Sequence, residues 1–298
     1  MRIRATVAAA TGALALSAFV VPAAHAADSG SSYRADVAKV LGAAHSGSGR
    51  AAFTATTADP APIDVTFSGM KVNNGKAIAV GITNHVVVPV TYTLKHGADV
   101  DITSPDFQAG PFLYRGSVEE PSSFLFGDEP GSCTATSATS ASCKAVIDIR
   151  PAEGDLLNSE AGSWKAAGLA IETSGQTIEG MAVQGGLGTV NVQRYSKLTV
   201  NAAPEPVTKG KTLTVTGKLS RANWETNKYA GYTGQSVQLQ FRKKNSTTYT
   251  TVKTVKTDGT GNLKTTTKAS VDGYYRYSFA GTSTTPAVKA TGDYVDVR

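Results

Sequence analysis

Apolar and polar residues alternate in short runs along most of the chain, and Gly, Asn, Asp or Pro closes each run. That period-2 pattern predicts half-buried strands rather than helices. It is clearest over 196–298. Leu198 opens the segment, and Pro204, Pro206 and Gly210 mark its first turn. Leu213, Val215 and Leu219 then point one way, and Thr214, Thr216 and Lys218 the other. Val237, Leu239 and Phe241 form the next inward set. A strand over 249–257 ends at Asp258-Gly259. Leu263, Thr265 and Thr267 oppose Lys264, Thr266 and Lys268. Tyr275, Tyr277 and Phe279 share one face, and the last strand covers 294–297.

About seven strands at intervals of roughly ten to twelve residues predict an immunoglobulin-like antiparallel sandwich for 196–298. A tyrosine near the start of the penultimate strand suits a tyrosine corner. Residues 61–195 read as a second sandwich. Ile63, Val65 and Phe67 alternate, and Asn73-Asn74-Gly75 is a turn ahead of a strand over 76–82. Val88, Val90, Tyr92 and Leu94 share a face, with Pro89 implying an edge position or a bulge. Further strands are expected at 112–114, 143–149, 164–173 and 188–194. Residues 155–162 suit one helical turn, and 97–111 and 119–131 are expected to be long loops. The predicted fold class is all-β, two antiparallel, immunoglobulin-like sandwich domains after a signal peptide and a short flexible leader.

The first sixty residues differ. Arg2 and Arg4, an apolar run over 5–21 and Ala24-His25-Ala26 make residues 1–26 a signal peptide. Residues 27–60 read as a flexible leader, Gly/Ser-rich at 27–32 and 46–50. Within it, Val37, Val40 and Leu41 at i, i+3, i+4 suit a short amphipathic helix over 33–44. No later segment is apolar for long enough to span a bilayer, and no lipoprotein cysteine or sorting motif is present, so secretion is expected. Cys133 and Cys143 are the only cysteines. An exported hairpin turning at Ala138 would place them opposite each other, which predicts a disulfide. Two thiols of a metal site would need a neighbouring histidine, and none lies near.

Charge is unevenly divided. Residues 196–298 hold 16 basic and 6 acidic residues, a balance of +10, whereas 27–195 carry −6. That asymmetry speaks to partners and solubility, not to fold.

Enzyme chemistry finds no constellation. His45, His85 and His96 are the only histidines after residue 26, and two of them sit at turns. No H-E-x-x-H, G-x-S-x-G, P-loop or dinucleotide fingerprint occurs. Glu119-Glu120 and Asp128-Glu129 read as solvated loop acids. A hydrolase built from sequence-distant residues is the third reading, behind two binding readings. Calcium is the one cofactor the sequence leaves open. Asp99, Asp101 and Asp106 offer hard oxygens on a loop, but the EF-hand pattern fails at Ser104 and Gly110. A solvated acidic loop is the plainer account. For polymer binding, the loop 221–232 holds Trp224, Tyr229 and Tyr232, whose rings either stack on sugar faces or plug the end of the sandwich. Lys218, Lys264 and Lys268 project outward from strands expected to neighbour each other, with Lys253 or Lys256 beside them. Arg242, Lys243 and Lys244 add charge at a strand end. Such a face attracts anionic polymer. It is equally a set of lysines that keeps edges soluble. No motif for specific nucleic-acid recognition accompanies the charge, and a monomer is expected.

The runs Ser196-Lys-Leu-Thr-Val-Asn-Ala-Ala-Pro-Glu-Pro-Val207, Gly210-Lys-Thr-Leu-Thr-Val-Thr-Gly-Lys-Leu219 and Asp272-Gly-Tyr-Tyr-Arg-Tyr-Ser-Phe-Ala-Gly281 resemble the C-terminal sandwich of secreted actinobacterial proteins of unknown function. Some of these carry an unproven calcium-binding label. Leu113-Tyr-Arg-Gly116 and the two cysteines are similar to the domain that accompanies it. The resemblance covers nearly all of the chain after residue 26. It implies export and fold, and brings no catalytic residues. The expected function is non-enzymatic attachment to anionic envelope or extracellular polymer through the basic domain. A calcium-dependent binding module on the acidic loop is the alternative.

Overall fold

The computed structural model describes the backbone of residues 29–45 and all of residues 60–298, with helical side chains described over 33–42. The signal peptide expected at 1–26 and the Gly/Ser stretch at 46–50 lie outside the described residues. Helix α1 (Ser29–His45) precedes the strands of the first domain. These are β1 (Ala61–Pro62), β2 (Val65–Val72), β3 (Ile78–Val80), β4 (Val86–His96), β5 (Phe107–Gly116), β6 (Pro121–Phe126), β7 (Ser132–Ser137), β8 (Ser140–Ile149), β9 (Gly162–Ser174), β10 (Thr177–Gln184) and β11 (Thr189–Arg194). A four-stranded sheet, β2-β4-β8-β7, packs on a seven-stranded one, β1-β10-β9-β11-β3, whose β9 also pairs β5 and through it β6.

The smaller sheet follows the expected alternation. Val88, Val90, Tyr92 and Leu94 are all buried. Pro89 lies on an interior strand, not an edge, but β2 ends at Val72 opposite Val90, so Pro89 leaves no ladder bond unmade on that side. Cys133 and Cys143 are directly opposed in the β7–β8 register and form a disulfide.

The larger sheet departs from expectation. Residues 107–116 and 121–126, where the pattern implies mostly loops, are paired strands, and β10 has no counterpart among the expected strands. The cause is burial of both faces. Leu113, Ala166 and Ala170 pack inward against the smaller sheet. Phe112, Tyr114, Ala167, Leu169 and Ile171 pack outward against α1, where Tyr33, Val37, Val40 and Leu41 are buried among them. A sheet covered on both faces shows no polar alternation. The helix begins at Ser29, inside the stretch expected to be mobile, and is docked, not a tether. Each of its four buried side chains contributes on the order of 1.5–3 kcal/mol. Arg34 reaches Asp128 at 2.5 Å, and Asp128 also accepts from Arg150. The turn expected over 155–162 is 3-10 at Asn158–Glu160.

The second domain comprises β12 (Ser196–Leu198), β13 (Asn201–Ala203), β14 (Thr212–Asn223), β15 (Lys228–Gly231), β16 (Ser236–Lys243), β17 (Thr250–Lys256), β18 (Asn262–Lys268), β19 (Gly273–Phe279), β20 (Val288–Lys289) and β21 (Asp293–Val295). One sheet gathers β12, β13, β15 and β18 around β14, and the other has the order β17-β16-β19-β20 with β21 also on β19. Leu213, Val215, Leu219, Val237, Leu239, Tyr275, Tyr277 and Phe279 fill the space between them. Tyr277 donates across the sandwich to the Val215 carbonyl at 2.9 Å. This ties sheet to sheet, where a tyrosine corner would bond a few residues upstream.

Residues 221–232 are a hairpin, not a loop, and its tip crosses into the first domain. Trp224 is 2% exposed and belongs with Ala222 to the first domain's core. Its indole Nε1 donates to the Gly81 carbonyl at 3.0 Å. Around it Asn158 bonds the Trp224 amide, Asn223 and Glu225. On another side Gln193 donates to the Thr282 carbonyl and the Arg194 amide to that of Thr284. Only Tyr195 separates β11 from β12.

Three outcomes follow from this packing. A 196–298 fragment should unfold cooperatively on its own core, with Trp224, its sole tryptophan, emitting at the red-shifted wavelength of exposed indole; in the full chain Trp224→Ala should cost about 3–5 kcal/mol. A fragment that fails to fold would show that the second core depends on the first domain. Removing the disulfide by Cys133→Ser with Cys143→Ser should cost about 2–3 kcal/mol in denaturant titration, given the short loop closed. Acid should undock α1. The Arg150 hydrogen bond, then the charges of Arg150 and Arg34, hold the Asp128 carboxyl below its usual range. A depressed folded pKa stabilises above the unfolded value near 4 and is lost as pH falls through the folded value. Asp155, raised by burial, acts with opposite sign and offsets part of the loss. Hydrogen exchange in 33–42 should therefore accelerate below pH 4, and Asp128→Asn should flatten that dependence. An unchanged acid limb in the variant would contradict this assignment.

Candidate binding surfaces

The outward face of the β14–β18 pair is built by strand parity. Leu213, Val215 and Leu263 turn into the core, so their neighbours turn out. The register sets Lys268 opposite Thr212, Lys264 opposite Thr216 and Lys218 opposite Asn262. All three lysines are exposed, and none forms an ion pair among the described residues. Lys268 leans on the Thr212 hydroxyl at 3.1 Å. From β17 in the other sheet, Lys253 reaches across the sandwich edge to the Thr266 carbonyl at 2.7 Å. Lys218 and Lys264 border a shallow groove of about 580 Å³ that also touches Thr199, Asn201 and Asp258. Asp258 is the one acid there. The Thr260 and Asn262 amides and the Thr260 hydroxyl, bonding its carboxylate in the turn, bring its pKa down to about 2.

Other candidates are dispersed. Arg242 and Lys243 end β16 in the opposite sheet, Lys244 follows in the turn, and none joins the lysine row. Trp224, being core, offers no face to a sugar. Its hairpin closes the domain junction, which is why the ring turns inward. Tyr229 lies under the Lys197 ammonium at 3.8 Å, and Tyr232 packs edge-on against Phe279 beneath the Arg221 guanidinium. The three aromatics thus serve the fold and do not form a stacking platform.

The acidic loop does not converge on a cation. The Asp101 carboxylate caps Thr103, accepting from its amide at 2.9 Å and its hydroxyl at 2.6 Å, and these bonds lower its pKa. Asp106 instead meets Thr173 through its backbone carbonyl. Asp99 lines a separate recess with Asp64, Glu172 and Glu179. Among the described residues no group of three or more His, Cys, Asp or Glu is arranged to hold a metal ion. His85 bonds the buried Asp148 at 2.5 Å, and His96 bonds the Gly97 carbonyl at 2.9 Å.

The sheet topology defines an all-β protein built of largely antiparallel sandwiches. No protein-family model matches the chain, and no curated protein matches it in sequence. Among solved structures it is similar to the three-domain ectodomain of mouse nectin-like molecule 4, at 13% identity and TM-score 0.24 over 80% of this chain and 65% of that one. It is similar to the D00-D0 domain of intimin, at 15% identity and TM-score 0.25 over 76% and 98%. It is also similar to FdeC, an Escherichia coli adhesin, at 13% identity and TM-score 0.29 over 76% and 66%. The chain thus spans just under two thirds of the nectin-like ectodomain and of FdeC. These scores describe a loose likeness of chain course, and neither partner nor activity transfers on them. No described helix is long and apolar enough to cross a membrane.

Proposed function

We propose that this is a secreted, non-enzymatic protein that attaches to anionic envelope or extracellular polymer through its basic C-terminal domain. The observation that carries the reading is the row of Lys218, Lys264 and Lys268, aligned on one face with no carboxylate paired to any of them among the described residues. Ammonium groups on flexible stems act as point charges toward phosphate-rich polymer, and their attraction is electrostatic and salt-sensitive. The acidic first domain, held against the second by the Trp224 hairpin, repels the same polymer and leaves the outer faces of the second domain as the approach. The disulfide suits an oxidising compartment, which agrees with export.

Sedimentation with purified cell wall tests this. Binding should fall as salt rises and should be unaffected by EDTA. Replacing Lys218, Lys264 and Lys268 together by Gln should weaken it and reduce the slope of log K against log salt by about one for each phosphate no longer neutralised. The thermal midpoint should barely move, because exposed side chains contribute within about 0.5 kcal/mol. Binding that EDTA abolishes would point instead to the calcium-dependent alternative. A wild-type protein that binds no polyanion at low salt would end the adhesive reading.

A further inference from the structure

The opposite face of the same domain carries a second, chemically different array. On β19, Tyr275 and Tyr277 turn inward, so Tyr274 and Arg276 turn out. On β16, Gln240 and Arg242 turn out beside them, paired in register as Gln240 with Arg276 and Arg242 with Tyr274. Tyr294 on β21 continues the row opposite Tyr274. Tyr249, from the turn before β17, folds back over this surface. Its hydroxyl occupies the space that a Cβ on Gly292 would need, so glycine there lets the ring lie flat.

The arginines are held by stacking, not by acids. The Arg242 guanidinium sits 3.8 Å from the Tyr274 centroid, and that of Arg276 lies 3.6 Å from Tyr249. Hydrogen bonds from a single nitrogen fix the in-plane rotation of each, and that of Arg242 also reaches the Lys244 carbonyl at 3.4 Å. Arg276 Nε donates to Gln240 Oε1 at 2.9 Å, and Arg242 Nη1 to the Ser246 carbonyl at 2.9 Å. Neither arginine has an ion-pair partner among the described residues. The nearby acid, Asp272, is already engaged by the Val297 amide, the Tyr294 hydroxyl and Lys244. Both terminal nitrogens of Arg276, and Nε and Nη2 of Arg242, have no acceptor among the described residues. Two planar forks therefore stand ready, their side-chain entropy already lost in the fold.

We infer that this face binds a carboxylate-bearing polysaccharide, with Arg242 and Arg276 each gripping a carboxylate in the guanidinium plane. The inference rests on the reading that the C-terminal domain binds polyanion, but assigns a different face and a different anion. Carboxylate is favoured because a fixed planar fork matches a planar two-oxygen acceptor. The amide of Gln240 and the tyrosine hydroxyls suit sugar hydroxyls. Nucleic-acid bases are disfavoured, since arginines already cover one face of Tyr249 and of Tyr274, where bases would stack.

The test is titration of the full chain with polygalacturonate at low salt, with neutral dextran and polyphosphate as comparisons. Polygalacturonate should bind and dextran should not. Gln240→Glu places a carboxylate between the forks without removing a stack. It should lower polygalacturonate affinity at least tenfold, with the thermal midpoint kept or raised. Arg242→Lys with Arg276→Lys keeps the charge, loses the fork, and should lower affinity similarly. The Lys218, Lys264 and Lys268 triple Gln variant should lose less than threefold. Polygalacturonate affinity within twofold of wild type in both the Gln240→Glu and the double Lys variants would overturn the assignment. So would equal binding of dextran. If polyphosphate binds through the lysine row while polygalacturonate does not bind, this inference fails and the broader reading stands. If no polyanion binds, both fail.

Discussion

The constraint on which the rest of the molecule depends is one indole placed in the wrong domain. Trp224 is carried by the second sandwich and buried in the core of the first. Rotating one sandwich against the other would drag that ring through water, at a cost of several kcal/mol for a side chain of its size. The polar groups around it are matched across the junction by Asn158, Glu225 and Gln193, so sliding would also leave hydrogen bonds unmade. With a one-residue connection, the junction acts as a joint locked from the side. It is also where the chain tolerates charge poorly. Arg194 is buried with its Nε on the Ala222 carbonyl and no acid in ion-pair range among the described residues, and burial first, then the neighbouring Arg221, bring its pKa down to about 10. It remains charged at neutral pH, and the carbonyl offsets part of the desolvation cost.

How well the sequence could be read tracks how many faces of each sheet are wet. In the second domain each strand has one solvated face, so the period of two is visible. The inward sets at 213–219, 237–239, 263 and 275–279 were all legible, and so was the parity that lines up Lys218, Lys264 and Lys268. In the first domain the β5, β6, β9 and β10 region lies between the smaller sheet and α1. Phe112 and Leu113 are neighbours in sequence and are both buried, on opposite sides. Such a run carries no alternation, and polar breaks such as Ser122-Ser123 in β6 then look like loop. The helical spacing at Val37, Val40 and Leu41 did announce α1, but not that a second apolar sheet face awaited it.

The surfaces were legible only in part, for a related reason. An aromatic in a turn signals burial or recognition, and local pattern does not say in whose core the ring will be buried. Trp224 could be placed only once the hairpin β14–β15 was known to point across the junction. Arg276 and Tyr274 were implied as outward by the same alternation that set Tyr275 and Tyr277 inward. What hid them was Tyr249, which reaches the array from outside both strands and fits over it only because position 292 is a glycine. The acidic loop was the reverse case. Asp99, Asp101 and Asp106 are close in sequence, yet a tight turn engages Asp101 with its own backbone and sends Asp99 toward Asp64.

The net charge of the second domain matters because of where its few acids are engaged. Asp258 is bound into a turn, Asp272 ties the last strand, Asp293 accepts from the Ala202 amide and Glu225 from that of Asn158. Ion pairing with lysine or arginine is confined to Lys244 with Asp272 and Arg298 with Asp296 among the described residues of this domain. Acids committed to backbone amides stabilise turns and junctions, but they shield distant cations weakly, because screening by solvent and salt limits their reach to roughly a Debye length. The outward faces therefore keep their positive potential. They keep it in two forms, mobile ammonium groups on one sheet and stacked guanidinium planes on the other. A surface of the first kind responds chiefly to charge density, whereas the second also responds to the shape of the anion. One sandwich thus presents two cationic surfaces of different geometry, set by which strand positions the alternation turned outward.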